Sequence, residues 1–518
     1  MKKLLSITLV MFAAALIQGC DEGKANAAVE QVVITVDQEL NARQKVTAHM
    51  KAGDYDGLIG IKLRGNSSLG FNQKKYTVEL IDEQGKELDA ELLGMPAHSD
   101  WVLLAPYNDV SAVRDPLAFQ LWRDMGHWAP RTRMVELTLN GDYRGIYILS
   151  EAIKRGKDRV DIAKMKKGDT AGLDVTGGYL LRIDTYNDDD ATFTSKVPGI
   201  GEGNMTSQVV WSCIYPKKKK LQPEQLAYIQ NYVDTVEQVI QSEGFADPKT
   251  GYARYIDVPS FVDYFIHTEL SLNADGYKRS AYFYKEKLSA DGSGGKLVAG
   301  PVWDYNLAYG NANYANANNL EAWCFEGASN NPTPALWQRL LQDPAFRRAV
   351  KVRYQSLRKD VLSNKAINEY VDRHARLLAP YLDRHFEKYP ELLVDSTQKQ
   401  QPAMPQFQGG FPPMGSGFPP MGSGFPPMGG GFGGFGGGGF NMVGMFAAYR
   451  VSSYDEEIKV LKQWLADRLA FLDRNIERFD KDWQPRIQEP KEIKMQMPPF
   501  GGGGGGFGGF PFPFPPGR

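Results

Sequence analysis

The sequence contains few of the residues that hold disulfide-rich or zinc-binding proteins together. It has three cysteines and six histidines, without paired-cysteine spacing or a His-Glu-x-x-His motif, so a zinc site is not expected. Beyond Cys20, only Cys213 and Cys324 remain, and in an oxidising compartment they could form one disulfide; their spacing leaves open whether they meet. His267 lies in an apolar run and is expected to be a hydrogen-bonded core residue.

The chain also lacks a net charge. Its 60 Lys and Arg residues face 61 Asp and Glu residues, which gives a formal net charge of −1. No overall field therefore favours nucleic acid or an anionic membrane, and no nucleic-acid partner is expected. The charge runs at residues 188–190 and 217–220 are interpreted as solvated loops.

The first twenty residues are interpreted as a targeting segment. Lys2 and Lys3 begin it, and residues 4–17 form an apolar stretch too short for a comfortable membrane span. It ends in Leu-Ile-Gln-Gly-Cys, which resembles a bacterial lipoprotein lipobox with Cys20 as the lipidated residue; the alternative is a plain secretory signal with an incidental cysteine. We expect export in either case, with membrane anchoring on the periplasmic or cell-surface side if Cys20 carries a lipid.

Glycine and proline are abundant because two late tracts concentrate them. Residues 401–440 repeat GFPPMGS and then run into Gly and Phe, and residues 497–518 have a similar composition. Neither tract has the apolar spacing that buries a core. The first is expected to loop out of a helical region, either making weak surface contacts through Phe and Met or serving as a tolerated flexible insertion.

The first part of the chain has the alternation of antiparallel strands. The segments VVITV, LIGIKLRG, KKYTVELI and VELTLNGDYRGIYILSE show it, the last as a hairpin turning at residues 140–142. Residues 64–70 (RGNSSLG) form a Gly/Ser/Asn turn with Arg64 at its mouth. Such a turn could present N–H groups and a guanidinium to phosphate, or it could be a polar hairpin loop.

After residue 222 the apolar period becomes helical. The segments LAYIQNYVDTVEQVI and SFVDYFIHTEL, residues 335–362 and residues 454–479 all show it. We therefore predict an α+β protein with a β-rich first lobe and a mainly helical second lobe. The expected divisions are a signal peptide (1–20), a tether (21–31), a β-rich N-lobe (32–150), a C-lobe (151–395), a repeat insertion (396–445), a C-lobe terminal helix (446–482) and a disordered tail (483–518).

One stretch, residues 271–310, joins these parts and carries two acids. Asp275 lies in an Asn-Ala-Asp-Gly turn, and Asp304 follows the strand KLVAGPVWD. The segment between them is typical of an antiparallel hairpin with its tip at residues 291–295, which would bring the two acids together. With Asn273 and Asn306 beside them, the acids suit a divalent cation plus a proton acceptor; the alternative is a solvated loop.

Five blocks of the chain together resemble the spore coat protein CotH family of atypical, secreted-type protein kinases. The blocks are RGNSS followed by KKYTVEL, then DWVLLAPYNDVSAVRD, LNGDYRGIYILSE, NADGYKRSAYFY and WDYNLAYG. They occur in family order across residues 32–479, apart from the Gly/Pro-rich insertion. The resemblance implies a two-lobed kinase-like fold with ATP and Mg²⁺ or Mn²⁺ between the lobes.

The resemblance also implies roles for particular acids and amides. Asp275 would be the catalytic acid that accepts or orients the substrate hydroxyl. Asp304 would be the aspartate that holds the metal, with Asn273 and Asn306 as further metal ligands.

Three charged residues, two in the first lobe and one where the lobes should join, are implied to bind the nucleotide. Lys74 would neutralise the ATP phosphates, and Arg64 would be a second phosphate contact. Glu151, at the end of its hairpin, would contact the nucleotide or a lysine.

Two positions depart from the family pattern. Asn306 stands where the family commonly has an acid, and Gln73 stands where a second lysine is usual. An amide oxygen can still coordinate Mg²⁺, but one negative charge is lost. These departures are typical of a weak kinase or a pseudokinase.

Three functions follow. The first is a lipid-anchored, Mg²⁺- and ATP-dependent kinase acting on Ser or Thr hydroxyls of envelope or surface proteins. The second is a non-catalytic surface protein on the same fold, for adhesion or for coat or envelope assembly. The third is transfer of another group from a nucleotide.

Overall fold

The structure, a computed structural model, describes residues 28–186, 189–328, 332–394, 447–481 and 483. Cys20, most of the tether and both Gly/Pro-rich tracts lie outside these residues. Strands and helices are mixed along the chain, which confirms the α+β class. None of the described helices combines the length and apolar character that a bilayer span requires.

The elements follow one another with the strands concentrated in the first half of the chain. The strands are β1 (Glu30–Thr35), β2 (Val46–Ala52), β3 (Tyr55–Arg64), β4 (Lys75–Leu80), β5 (Ala90–Leu92), β6 (Met95–His98), β7 (Asp100–Leu104), β8 (Thr132–Leu139), β9 (Asp142–Glu151), β10 (Tyr179–Ile183), β11 (Ala191–Thr194), β12 (Gly199–Ile200), β13 (Thr206–Ser207), β14 (Val210–Tyr215), β15 (Ala281–Lys285), β16 (Leu297–Ala299) and β17 (Thr333–Pro334). The α-helices are α1 (Arg114–Asp124), α2 (Pro223–Gln241), α3 (Val258–Ser271), α4 (Ala335–Leu340), α5 (Pro344–Leu357), α6 (Asn364–Leu378), α7 (Leu382–Lys388) and α8 (Tyr454–Ile476).

The first part of the chain is a closed β-barrel with the strand order β1-β2-β3-β4-β7-β9-β8. Neighbouring strands are antiparallel except β1 and β8, whose parallel pairing closes the barrel and sets Glu30 opposite Val135. Alternate side chains point inwards, as the sequence predicts. The inward residues of β2 are Val46, Ala48, Met50 and Ala52, and Trp101 and Tyr147 add large rings to the same core.

The barrel strands β8 and β9 are buried on both faces. Their inward residues fill the barrel, whereas Ile146 and Ile148 belong to the larger core that contains Leu117 and Trp122 of α1. A strand covered on both sides reads as a nearly continuous apolar run rather than an alternating one. Strands β8 and β9 therefore lie between the barrel core and the larger core and pack against both.

The second part is built on an antiparallel sheet with the order β11-β14-β10-β15-β16. Helix α3 is buried from Ser260 to Ser271, and its Tyr264 ring stacks on Trp337 with centroids 5.5 Å apart. His267 in this helix is buried, with Nε2 2.9 Å from Ala118 O, which confirms it as a hydrogen-bonded core residue. The predicted hairpin is present, because β15 pairs antiparallel with β16.

Two expectations from the sequence change in detail, and the open question of a disulfide is answered. Residues 335–362 do not form one helix, because Asp343 caps a new helix by accepting from Ala345 N and Pro344 has no N–H to continue the previous one. Cys213 and Cys324 are both free rather than joined. The strand β1 begins at Glu30, inside the range assigned to the tether.

Candidate functional site

The turn that carries Asp275 follows directly from α3. The helix ends at Leu272 in the left-handed region (φ 43°), and Asn273 Oδ1 accepts a hydrogen bond from Asp275 N at 3.2 Å. Gly276 is required here, because a Cβ at this position would lie 2.5 Å from the Thr268 methyl group. The buried end of α3 therefore fixes where Asp275 lies.

The Asp275 carboxylate is part-buried and held by two neighbours. Arg279 NH1 lies 3.3 Å from Oδ1, and Tyr314 OH donates to Oδ2 at 3.3 Å. Burial raises the pKa of Asp275, Arg279 and Lys278 work against that rise, and the charge of Asp304 adds to it. Asp304 therefore belongs to the electrostatic surroundings of Asp275.

Asp304 lies on the loop that follows β16, in a conformation unusual for a residue with a side chain. Its φ is 66°, in the left-handed region where a Cβ is strained. Its side chain is 44% exposed, and its Oδ1 lies 3.7 Å from Lys75 Nζ. Asn273 Nδ2 donates to Asp304 O at 3.5 Å, so the loops of the two acids are tied to each other.

The barrel contributes two cations from adjacent strands. Lys75 begins β4 and lies directly opposite Arg64, which ends β3. The Arg64 guanidinium lies 5.3 Å from the ring centroid of Trp303, next to Asp304 in the sequence. Positive groups of the barrel and negative groups of the second part therefore face the same place.

Lys74 does not join this group. Its Nζ donates to Leu69 O at 2.7 Å and so braces the turn after β3, and burial lowers the pKa of its ammonium. Successive residues of a strand point to opposite faces. Because Tyr76 and Val78 point into the barrel, alternation places Lys75 on the outer face, and this signal in the sequence identifies the lysine that the prediction missed.

Asp115, in the first turn of α1, is a third carboxyl group near the site that the sequence analysis missed. Its Oδ1 accepts a hydrogen bond from Tyr305 N at 2.6 Å. Burial raises its pKa to about 7, with the charge of Asp304 adding to the rise and Lys75 opposing it. Asp115 therefore links α1 to the loop of Asp304.

Glu151 is occupied elsewhere. Its side chain is fully buried and pairs with Arg131 NE at 3.1 Å and Arg159 NH1 at 2.5 Å. Arg131 N also donates to its Oε2 at 2.8 Å. The carboxylate faces these two arginines and not an open nucleotide site. The ion pairs hold the end of β9 to the segment before β8 and to the segment after β9.

Gln73 is likewise occupied by contacts to the backbone. It is buried just before β4, and its Nε2 donates to Ile146 O of β9 at 2.8 Å. Its side chain therefore joins the segment before β4 to β9.

The donors around Asp304 fit a hard divalent cation. Asn306 is buried, and its Nδ2 donates to Asn108 Oδ1 at 2.7 Å, which leaves its amide oxygen as the end suited to a cation. Among the described residues no three His, Cys, Asp or Glu side chains form a metal-holding group. A cation beside Asp304 would therefore complete its shell with amide, water and phosphate oxygens, as Mg²⁺ usually does.

Two comparisons with known proteins show which family the chain resembles. The model of the family described as CotH kinase protein matches residues 61–472, a range that includes Lys75, Asp275 and Asp304. The chain is also similar to the inner spore coat protein H of Bacillus subtilis (strain 168), with 22% identity over 336 residues, which cover 65% of this chain and 79% of the relative.

Proposed function

The chain belongs to the CotH kinase protein family, and on that premise we propose that it is a protein kinase that transfers the γ-phosphate of ATP to Ser or Thr hydroxyls of envelope or surface proteins. The observation that carries the proposal is the meeting of Asp275 and Asp304 with two cations, Arg64 and Lys75. In this proposal the barrel is the N-terminal lobe of a two-lobed kinase-like arrangement, and the nucleotide lies between it and the second part.

Asp275 is assigned the role of accepting the proton of the substrate hydroxyl or orienting that group. A carboxylate whose pKa is raised by burial is a better proton acceptor than a solvated one, and Arg279 and Tyr314 hold its two oxygens in place. Phosphoryl transfer asks the protein mainly to position the reactants and to neutralise charge. A tied carboxylate at the end of a buried helix meets the first of these demands.

The metal is assigned three ligands: Asp304, Asn306 and Asn273. The ATP phosphates are assigned two cationic contacts, Lys75 and Arg64. A bound Mg²⁺ or Mn²⁺ would offset the negative charge of the ATP phosphates. Lys75 replaces Lys74 in this role, because its ammonium already faces Asp304. Arg64 keeps its role as a second phosphate contact through its place over Trp303.

The site of action is proposed to be outside the cytoplasm. The similar protein from Bacillus subtilis is named as an inner spore coat protein, which favours a surface location, and the Cys20 lipobox pattern favours a membrane anchor. The substrates would then be envelope or surface proteins with accessible Ser or Thr hydroxyls.

Purified residues 21–518 test the proposal. We expect transfer of label from γ-labelled ATP to a protein acceptor in the presence of Mg²⁺ or Mn²⁺, and no transfer from α-labelled ATP. The variants Asp275→Ala and Asp304→Ala should both lose transfer. Asp291→Ala is the matched control, because this exposed acid lies at the tip of the same hairpin and bonds only locally to Ser293.

Other outcomes separate the alternatives. Label transferred from the α-position would indicate transfer of a nucleotidyl group. If the protein binds ATP with neither metal, the kinase proposal is overturned and a non-catalytic surface protein remains. That alternative now rests on Asn306, since the Gln73 side chain bonds to the backbone of β9.

A further inference from the structure

Two neighbouring loops outside the site carry an unusual density of lysines. Three lie at residues 164–167 and four at residues 217–220, and all seven side chains belong to exposed residues. We call residues 164–167 and 217–220 the basic surface. The near-neutral charge of the whole chain hides it.

Contacts between the loops show that the basic surface is continuous. Met165 N donates to Tyr215 OH at 3.1 Å, and the ring of Tyr215 also lies 5.6 Å from the Arg155 guanidinium. Gln225, in the first turn of α2, donates to Lys166 O at 2.8 Å. The two lysine runs, far apart in sequence, are therefore displayed together.

The neighbouring acids do not cancel this charge. Asp174 is paired with Lys287, and Asp169 Oδ2 accepts from the backbone N–H of Lys166 at 2.7 Å. The exposed acids Asp161 and Glu224 lie close by in the sequence, and Lys218 has a contact of its own. The other six lysines still outnumber the four acids, so the basic surface keeps an excess of positive charge.

We propose that the basic surface binds the anionic headgroups of a lipid membrane. Lysines on exposed loops are flexible, strongly hydrated point charges, which suits attraction to a diffuse layer of negative headgroups. A folded acidic partner would be recognised more selectively by the planar, bidentate groups of arginine, and the seven cations of the basic surface are all lysines.

The candidate active site lies at the other end of the sheet. Leu180 is paired with both Tyr215 and Tyr284 at the end next to the basic surface, whereas Ile183 is paired with Ala281 at the end nearest Asp275. A membrane on the basic surface therefore leaves the site open to protein substrates.

Vesicle binding by residues 21–518 without a lipid tests the proposal. We expect sedimentation with vesicles that contain phosphatidylglycerol, little with pure phosphatidylcholine vesicles, and release at high salt. Replacing the four lysines of residues 217–220 by Gln should lower the partition coefficient by roughly fivefold per lysine, or by roughly several hundredfold together.

The matched control removes the same charge elsewhere, by replacing the exposed Lys51, Lys86, Lys359 and Lys365 with Gln. If vesicle binding weakens equally in both variants, the proposal of a local binding surface is overturned. Vesicle binding that does not depend on anionic lipid would overturn it too. If the protein binds soluble polyglutamate tightly but does not bind vesicles, the proposal of a membrane partner is overturned and an acidic protein partner is indicated. Phosphate transfer to a soluble acceptor is measured for each variant as well. A change in vesicle binding with unchanged transfer then tests the basic surface independently of the kinase proposal.

Discussion

The two parts of the molecule supply opposite charges to the site by different structural means. The second part places its acids on turns, where Leu272 and Asp304 both have positive φ angles. The barrel places its cations on regular strands, where Arg64 and Lys75 are directly opposed. The acids depend on strained turns held by neighbouring hydrogen bonds, whereas the cations depend on which face of a strand they occupy.

The largest expected effect breaks the acidic half of this comparison. Asp275→Asn keeps the shape of the side chain but removes its basicity, so we expect the rate of phosphate transfer to fall by about 10²–10⁴-fold. Asp304→Asn should lower the rate comparably and raise the concentration of Mg²⁺ needed. Circular dichroism of both variants should match that of the parent, and activity near the parental rate in either one would contradict the assignment.

A carboxylate outside the site should behave in the opposite way. Glu151→Gln leaves the buried Arg159 without its charged partner, so we expect a loss of about 3–5 kcal/mol in the free energy of unfolding, measured with urea. The affinity for ATP per folded molecule should stay unchanged. A variant of normal stability with weakened ATP binding would instead restore Glu151 as a nucleotide contact.

The two adjacent lysines sharpen the barrel half of the comparison. Lys75→Met removes the ammonium that faces Asp304, and we expect about a hundredfold loss in kcat/KM for ATP. Lys74→Met removes one hydrogen bond to Leu69 O, which contributes about 1 kcal/mol to stability, with little effect on kcat/KM. A larger loss of kcat/KM in Lys74→Met than in Lys75→Met would contradict the assignment of Lys75 to the phosphates.

The smallest effect concerns the neutral ligand. Asn306→Asp restores a negative charge beside Asp304, so we expect the Mg²⁺ concentration at half-maximal activity to fall by roughly threefold to tenfold. Asn108 can turn its amide to donate to the new carboxylate. Asn319→Asp serves as the control, because it adds the same charge further along the same loop at an exposed side chain whose oxygen accepts from Glu321 N, as a carboxylate can.

Local patterns predicted the elements that carry the acids. The aromatic alternation and the Gly/Ser/Asp tip of residues 281–299 predicted the hairpin, and the ends of a hairpin must lie close together. The buried helix α3 was predicted by its apolar spacing. Asp275 and Asp304 could therefore be brought together from the sequence, because each step depends on nearby residues.

Contacts between distant segments could not be predicted in this way. Asp115 reaches the loop of Asp304 through Tyr305, 190 positions along the chain. The parallel pairing of β1 with β8, which sets Glu30 opposite Val135, also closes the barrel between segments far apart in sequence. Glu151 ends its strand as predicted, but its arginine partners become visible only when the chain is folded. Strand alternation separates Lys74 from Lys75, and it is Lys75 whose ammonium lies beside Asp304.

The central claim is that the acids of the second part and the cations of the barrel enclose one metal–nucleotide site. A crystal structure of the protein with Mn²⁺ and a non-hydrolysable ATP analogue, with the metal located by its anomalous signal, tests it most directly. The account predicts a Mn²⁺ peak bound by Asp304 and the amide oxygen of Asn306, with the phosphates against Lys75 and Arg64. A peak away from Asp304, or phosphates bound at another surface, would contradict it.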